Sequence, residues 1–203
     1  RQVAKDHGFT SFAAVDIMDE NGSASLPVKN GKHLTQVLLG KNWSNYDFYV
    51  ILSHFKGHAM GGFGGAIKNI AIGMSSAAGK MNVHSAGAST TKFIWQTPQD
   101  DFLESMAEDT KTVTDALGSH VLYISVMNRL SVDCDCDSHP AEPDMHDIGI
   151  VASLDPVAID QACVDFIYAS PDGKSLIERM ESRNGVHTLE YGEQIGLGSR
   201  TYT

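Results

Sequence analysis

The chain has 203 residues, 42% hydrophobic and 20% charged, which is enough apolar mass for one full core and cramped for two. Its formal net charge of -10 argues against nucleic acid and anionic membranes as partners, since affinity for either comes from clustered Lys and Arg, but leaves room for a local basic pocket. No apolar stretch approaches the roughly 20 residues that cross a bilayer, because Gly, Lys, Asn or Asp interrupts every candidate.

The opening RQVAKDHGF reads as the tail of a helix leading to a strand, so an N-terminal portion, with any targeting signal, is expected to precede Arg1. A short strand is predicted over Phe12 to Met18, turned by Asp19, Glu20, Asn21 and Gly22. A second extended piece covers Leu34 to Leu39, and Gly40 to Asn45 turns the chain back. Tyr46 to Leu52 is a continuous apolar run, predicted to lie centrally in a sheet. From Gly65, the residues Ile67, Ile70, Ala71 and Met74 recur at helical spacing. The free N–H groups of that helix are expected to face a ligand. Ser75 to Thr97, rich in Ser, Thr, Gly and Ala, reads as a long loop, a class that is often functional. Asp100 and Asp101 open an amphipathic helix carrying Phe102, Met106, Val113 and Leu117 and ended by Gly118. Val121 to Val126 reads as a strand, followed by a polar loop and an apolar run at Ile148 to Val151. Asp155-Pro156 is an N-cap with proline at the first helical position, and Ile159, Cys163, Phe166 and Ile167 trace the face of the helix behind it. Two further helices are predicted near Lys174 to Arg183 and Thr188 to Gln194. With no internal repeat and no linker, the pattern is that of one α/β domain over residues 1–203: three layers, with a mostly parallel or mixed central sheet flanked by helices.

The most informative segment is Ser53 to Asn69, SHFKGHAMGGFGGAIKN, where a strand ends in a His-Lys-His cluster and five glycines. Open α/β sheets bind ligands at the carboxyl ends of their strands, which places the site here. The glycines do not form a known nucleotide motif. Gly73 to Gly79-Lys80 is one residue too long for a Walker A loop and has Met81 where Ser or Thr would hold magnesium; Ile67 stands where a dinucleotide fingerprint needs its third glycine. Gly61, Gly62, Gly64 and Gly65 still permit close backbone approach to a ligand, as they would an ordinary turn.

His54 and His58 are candidate metal ligands or, with Lys56, acid–base groups, and His84 or the Asp133 to Asp137 segment would supply a third ligand. The alternative is loop histidines bonded to backbone. Lys56, Lys68 and Lys80 would neutralise an anionic ligand if they share a cavity, and otherwise are solvated lysines. In Asp133-Cys134-Asp135-Cys136-Asp137, an extended backbone would send both thiols one way and the carboxylates the other, so thiolates could bind a soft metal or do redox chemistry while carboxylates suit harder cations. Cys134 and Cys136 are too close for an easy bridge, and three cysteines provide neither a disulfide framework nor a four-cysteine cluster, which fits a reducing, cytoplasmic setting. Cys163, on an apolar helix stripe, reads as a core residue.

These segments, together with the later Gly79-Lys80 and His84 and the stretch DIGIVASLDPVAIDQACVD, resemble the domain of unknown function 362 family, often labelled uncharacterised iron-sulfur centre proteins. The order and rarity of the segments carry the resemblance over most of the chain. Many members hold a ferredoxin-like insert with two cysteine quartets after the position of His84, whereas Ser85 to Gln99 here has no cysteine, so the chain looks like a member lacking that insert. The resemblance implies a fold and a set of suspect residues: His54, Lys56, His58, the glycines, Lys68, Asn69, Lys80 and His84, then Asp133 to Asp137 with Asp155 and Asp160. A more distant similarity joins the glycine-lysine loops to nickel-pincer lactate racemases.

Three functions stay open. The first is a cytoplasmic α/β protein binding a divalent metal ion or small anionic ligand at the His/Lys/Gly-rich loop, an enzyme if that ligand is turned over. The second is a non-catalytic redox or accessory module using Cys134 and Cys136 beside an iron-sulfur or redox protein, with no iron-sulfur cluster held by this chain itself. The third is a structural interaction domain.

Overall fold

The computed structural model describes residues 1–134 and 136–203 and begins with a short helix, α1 (Gln2–Asp6). The strand predicted over Phe12 to Met18 does not form. Side chains hold that segment instead: the Asp16 carboxylate accepts hydrogen bonds from Asn42 Nδ2 and Tyr46 Oη, both at 2.7 Å. The first ladder joins β1 (Ser23–Pro27) to β2 (Gln36–Gly40), antiparallel from Ser23 opposite Gly40 to Pro27 opposite Gln36. After β3 (Tyr49–His54) come two short strands, β4 (Lys56–His58) and β5 (Gly62–Gly64), paired antiparallel, so the expected glycine loop is in fact a tight hairpin.

Helix α2 (Ala66–Lys68) continues as one π-helical stretch, Asn69–Met74. The segment read as a long loop then contains a helix, α3 (Ala77–His84), whose N-cap Ser76 accepts a hydrogen bond from the Gly79 N–H at 3.2 Å. Its buried positions, Gly79, Asn82 and Val83, make no apolar stripe, which is why periodicity missed it. Helix α4 (Gln99–Leu117), strands β6 (Val121–Met127) and β7 (Gly149–Ser153), and helices α5 (Pro156–Ala169), α6 (Lys174–Ser182) and α7 (His187–Gln194) lie close to the predicted positions. Asp155 caps α5 as anticipated, accepting from the Val157 and Ala158 N–H groups.

The fold is α/β with a mixed central sheet in the order β3-β6-β7, β3 parallel to β6 and β7 antiparallel. The apolar run therefore lies at one margin of this sheet rather than in the middle. Its register sends Tyr49, Ile51 and Ser53 inward beside Val121, Tyr123 and Ser125. The inward face packs on α2 and α5, with Ile70, Met74, Val113, Leu117 and Ile159 in the same core. On the outward face Val50, Leu52 and Ile150 are 54%, 63% and 72% exposed. A hydrophobic run with period two on one face reads as continuous in the sequence, and only burial separates the two cases.

One buried carboxylate organises the centre. Asp160 of α5 is fully buried and accepts from the Ala66 N–H at 2.7 Å and the Ile67 N–H at 3.0 Å, so the first donors of α2 are bound within the protein and do not face a ligand. Gly65 makes this approach feasible, since a Cβ there would stand 2.3 Å from Asp160 Oδ1. Burial pushes the Asp160 carboxyl up to about 7, against the lowering effect of the two N–H donors.

Asp160→Ala leaves two buried N–H groups without an acceptor and is expected to cost roughly 2–4 kcal/mol, read from urea denaturation. Between the ordinary aspartate value and about 7, the unfolded chain has released a proton that the folded chain keeps. The group's contribution to stability therefore declines as pH rises through that window and is level above it, a slope that the wild-type minus Asp160→Asn difference isolates.

Candidate functional site

Because β3 and β6 are parallel, both chains leave the sheet at one edge, where His54 is opposite Val126. The exit from β3 is anchored by Phe55, fully buried and stacked on Phe63 with ring centroids 5.5 Å apart. Backbone pairing continues past the strand ends: the Phe55 N–H donates to Val126 O at 3.0 Å and the Gly57 N–H to Ser131 O at 2.8 Å. The loop after β6 is thereby laid along β4. Gly57 is required for this contact, because a Cβ there would meet Val132 O at 2.1 Å.

That contact carries Cys134 and Cys136 to His58. One ring nitrogen of His58 and the two sulfurs lie within 4.8 Å of one another. His58 and Cys134 are buried and Cys136 is exposed. The Asp137 N–H donates to Cys134 O at 2.9 Å and the Cys136 N–H to Cys134 Sγ at 3.3 Å. His58 Nδ1 accepts from the N–H groups of Met60 at 3.2 Å and Gly61 at 3.0 Å, so it carries no proton and the neutral ring has its hydrogen on Nε2. Burial, then the nearby basic groups Lys68, His84, Lys56 and Arg179, bring the imidazole down to about 3, so it is uncharged at neutral pH.

Lys68 is next to this group. Burial lowers its pKa, while Cys134 and Cys136 raise it. The Cys136 thiol is pushed up by burial and by its Cys134 neighbour, with Lys68 acting in the opposite direction. Lys68 also lines a cavity of about 310 Å³ with His54, Lys56, Gly64, Gly65 and Asn69. Asn69 is partly committed to structure, donating from Nδ2 to Leu52 O and Ser53 Oγ at 3.0 Å each. Gly61, Gly62 and Lys80 are not among the residues lining this cavity: Gly61 sits under His58 Nδ1 and Gly62 packs on Gly185.

The remaining candidates are apart from the sulfur-imidazole group. His54 Nε2–H donates to Asn128 O at 2.7 Å, and His54 forms part of the wall between the 310 Å³ cavity and a neighbouring one of about 490 Å³ lined by Asn128, Arg129, Ser131, Asp133 and Glu142. His84 donates from Nδ1 to Lys80 O at 2.7 Å and stacks on Phe102 at 5.1 Å, held near the site without joining its ligand atoms. Asp133 faces the other way, its Oδ1 3.3 Å from Arg179 Nη1 and its Oδ2 accepting the Ala141 N–H. Asp135 lies outside the described residues. Cys163 is in the core, as read from its helix stripe. Sequence reasoning missed Arg179, which also donates to Val132 O at 3.0 Å and so braces the cysteine loop from α6. Nothing in its local pattern sets it apart from any basic residue on an amphipathic helix.

A family model described as Domain of unknown function (DUF362) matches residues 1–165. This span holds β1 to β7 and each candidate ligand, but not α6 with Arg179. No curated protein and no solved structure matches the chain. No helix among the described residues is long and apolar enough to cross a membrane.

If Gly57 sets the position of the cysteine loop, Gly57→Ala should free Cys134 from its buried seat. Labelling of reduced protein with a thiol reagent is expected to show one slow and one fast cysteine at positions 134 and 136 in the wild type, and two fast ones in the variant, with Cys163 slow in both.

Proposed function

We propose that this chain, which belongs to the DUF362 family of unknown function, binds a thiophilic divalent metal ion between His58, Cys134 and Cys136, beneath a cation-lined cleft that admits a small anionic ligand. The observation that carries this reading is the mutual approach within 4.8 Å of one imidazole nitrogen and two sulfurs, from segments more than seventy residues apart in the chain. Two thiolates and one imidazole suit a borderline-soft ion such as Zn²⁺, and three protein ligands leave a fourth position for water or substrate, as in catalytic rather than structural zinc sites. His58 fits the role in charge, since its imidazole is neutral. As it stands Nδ1 accepts two N–H groups and Nε2 carries the hydrogen, so binding a metal through Nε2 would move that hydrogen to Nδ1 and break the contacts with Met60 and Gly61.

Chemically, the protein's own groups divide the work. With a metal bound, Cys134 and Cys136 would supply negative charge as thiolates. Lys68 and Lys56 supply positive charge on the cavity side, where an anionic group could enter beside Gly64 and Gly65. His54 borders the same space from the strand end, where an acid–base group would serve an enzyme. A redox or accessory module is the second reading. It rests on the same pair of thiols, joined by the Cys136 N–H to Cys134 Sγ contact.

Elemental analysis of tag-free reduced protein reconstituted with Zn²⁺ separates the two. One equivalent per chain is expected in the wild type and in His54→Ala, with affinity at least tenfold weaker in His58→Ala and in Cys134→Ser/Cys136→Ser, about 1.4 kcal/mol or more. Binding should release protons from the two thiols, so the apparent affinity should rise with pH. Metal retained unchanged in His58→Ala overturns the assignment. Metal-free protein whose two thiols titrate as a single two-electron couple supports the redox module instead.

A further inference from the structure

A second constellation lies on the far side of α4, away from the cysteine loop. Asp101, Glu104 and Glu108 are spaced along α4 so that they share a face, and the loop at 29–34 and the start of α7 close over them. Glu104 is buried. Its Oε2 is 2.6 Å from His33 Nε2 and 2.6 Å from Lys32 Nζ, and its Oε1 is 3.1 Å from His187 Nε2. His33 Nε2 is also 4.0 Å from Asp101 Oδ1. One ligand atom from each of His33, Asp101 and Glu104 falls within 4.8 Å of the other two.

Three carboxylates and two imidazoles here face one ammonium, that of Lys32, whose side chain is 58% exposed. Glu108 is already spent on the protein itself, accepting from the N–H groups of Lys32, His33 and Leu34 and from Tyr191 Oη at 2.9 Å. That cradle fixes the backbone of His33 and so aims its ring at Glu104. His187 in turn holds the second oxygen of Glu104, with its own Nδ1 3.6 Å from Glu190. A carboxylate steadied by an imidazole and an imidazole steadied by its backbone are the outer supports that metal ligands ordinarily have.

We propose that His33, Asp101 and Glu104 form a second divalent-cation site, distinct from the cysteine group, in which a transition ion of the Mn²⁺ type replaces the Lys32 ammonium. One imidazole and two carboxylates select such an ion over a thiophilic one, with water completing its coordination. Metal–ligand bonds of about 2.1 Å place neighbouring donors about 3–3.5 Å apart, so the observed 2.6 Å and 4.0 Å need only sub-ångström adjustment. His187 positions Glu104 and Lys32 competes for it. The ion fastens the 29–34 loop to α4, beside the start of α7.

The test uses Mn²⁺ alone, followed by the loss of its free-ion electron paramagnetic resonance signal, on the full chain carrying Cys134→Ser/Cys136→Ser so that no thiolate contributes. One saturable Mn²⁺ per chain is expected, with a rise in Tm. Asp101→Asn, at a half-exposed position where the fold should tolerate it, is expected to weaken binding at least tenfold, and His187→Gln roughly ten- to a hundredfold. Lys32→Met should bind Mn²⁺ more tightly than its parent, a gain that a purely structural ion-pair cluster does not produce. Absence of saturable binding in the thiol-free chain, or equal binding in Asp101→Asn, overturns the proposal. Neither result depends on whether the cysteine site holds metal.

Discussion

Parallel pairing between β3 and β6 is the constraint on which the site depends. Strands running the same way discharge their chains at the same edge, so the segment after His54 and the segment after Met127 meet although they are far apart in sequence. The meeting is made close by backbone rather than side chains: two N–H groups, from Phe55 and Gly57, continue the ladder beyond the sheet. An antiparallel arrangement of the same strands would have sent the cysteines to the opposite end of the molecule.

The electrostatics follow from that geometry. In a chain of formal net charge -10, Lys56, Lys68, His58, His84 and Arg179 gather around two thiols. Burial makes each charge expensive, which is why His58 is neutral and the Lys68 ammonium is weakened. The acidic surplus sits elsewhere, much of it on α4, where Glu104 and Glu108 gather donors from a loop and from α7.

Much of this was legible in the sequence wherever local chemistry decides structure. The helix from Asp100 to Gly118 and the Asp155-Pro156 cap are set by charge, capping and glycine, and both are found as read. The candidate site was sought at the end of the apolar run, and His58, Cys134 and Cys136 were all named, with the Asp133 to Asp137 segment one of two alternatives for completing the histidine pair. Which histidine meets the thiols depends on the register of a three-residue hairpin and on Val132 lying against Gly57, neither of which leaves a periodic trace. The strand expected at Phe12 to Met18 failed for a similar reason: β-propensity without a partner strand does not make a strand. Helix α3 escaped notice because it buries glycine and asparagine against its neighbours rather than a row of large apolar residues. Asp160 was suspected as a functional residue through resemblance alone, and its structural work, holding the start of α2, shows how an unusual motif residue can serve the scaffold.

The contact between Gly65 and Asp160 has an evolutionary corollary. A methyl group at position 65 would collide with the very carboxylate that satisfies the next two amides, so the two positions are chemically locked to each other across almost a hundred residues. Drift at either one alone opens a gap or a clash. Homologous chains should therefore vary here only in concert, pairing any larger residue at the first position with a shorter acceptor, or a rebuilt helix start, at the second.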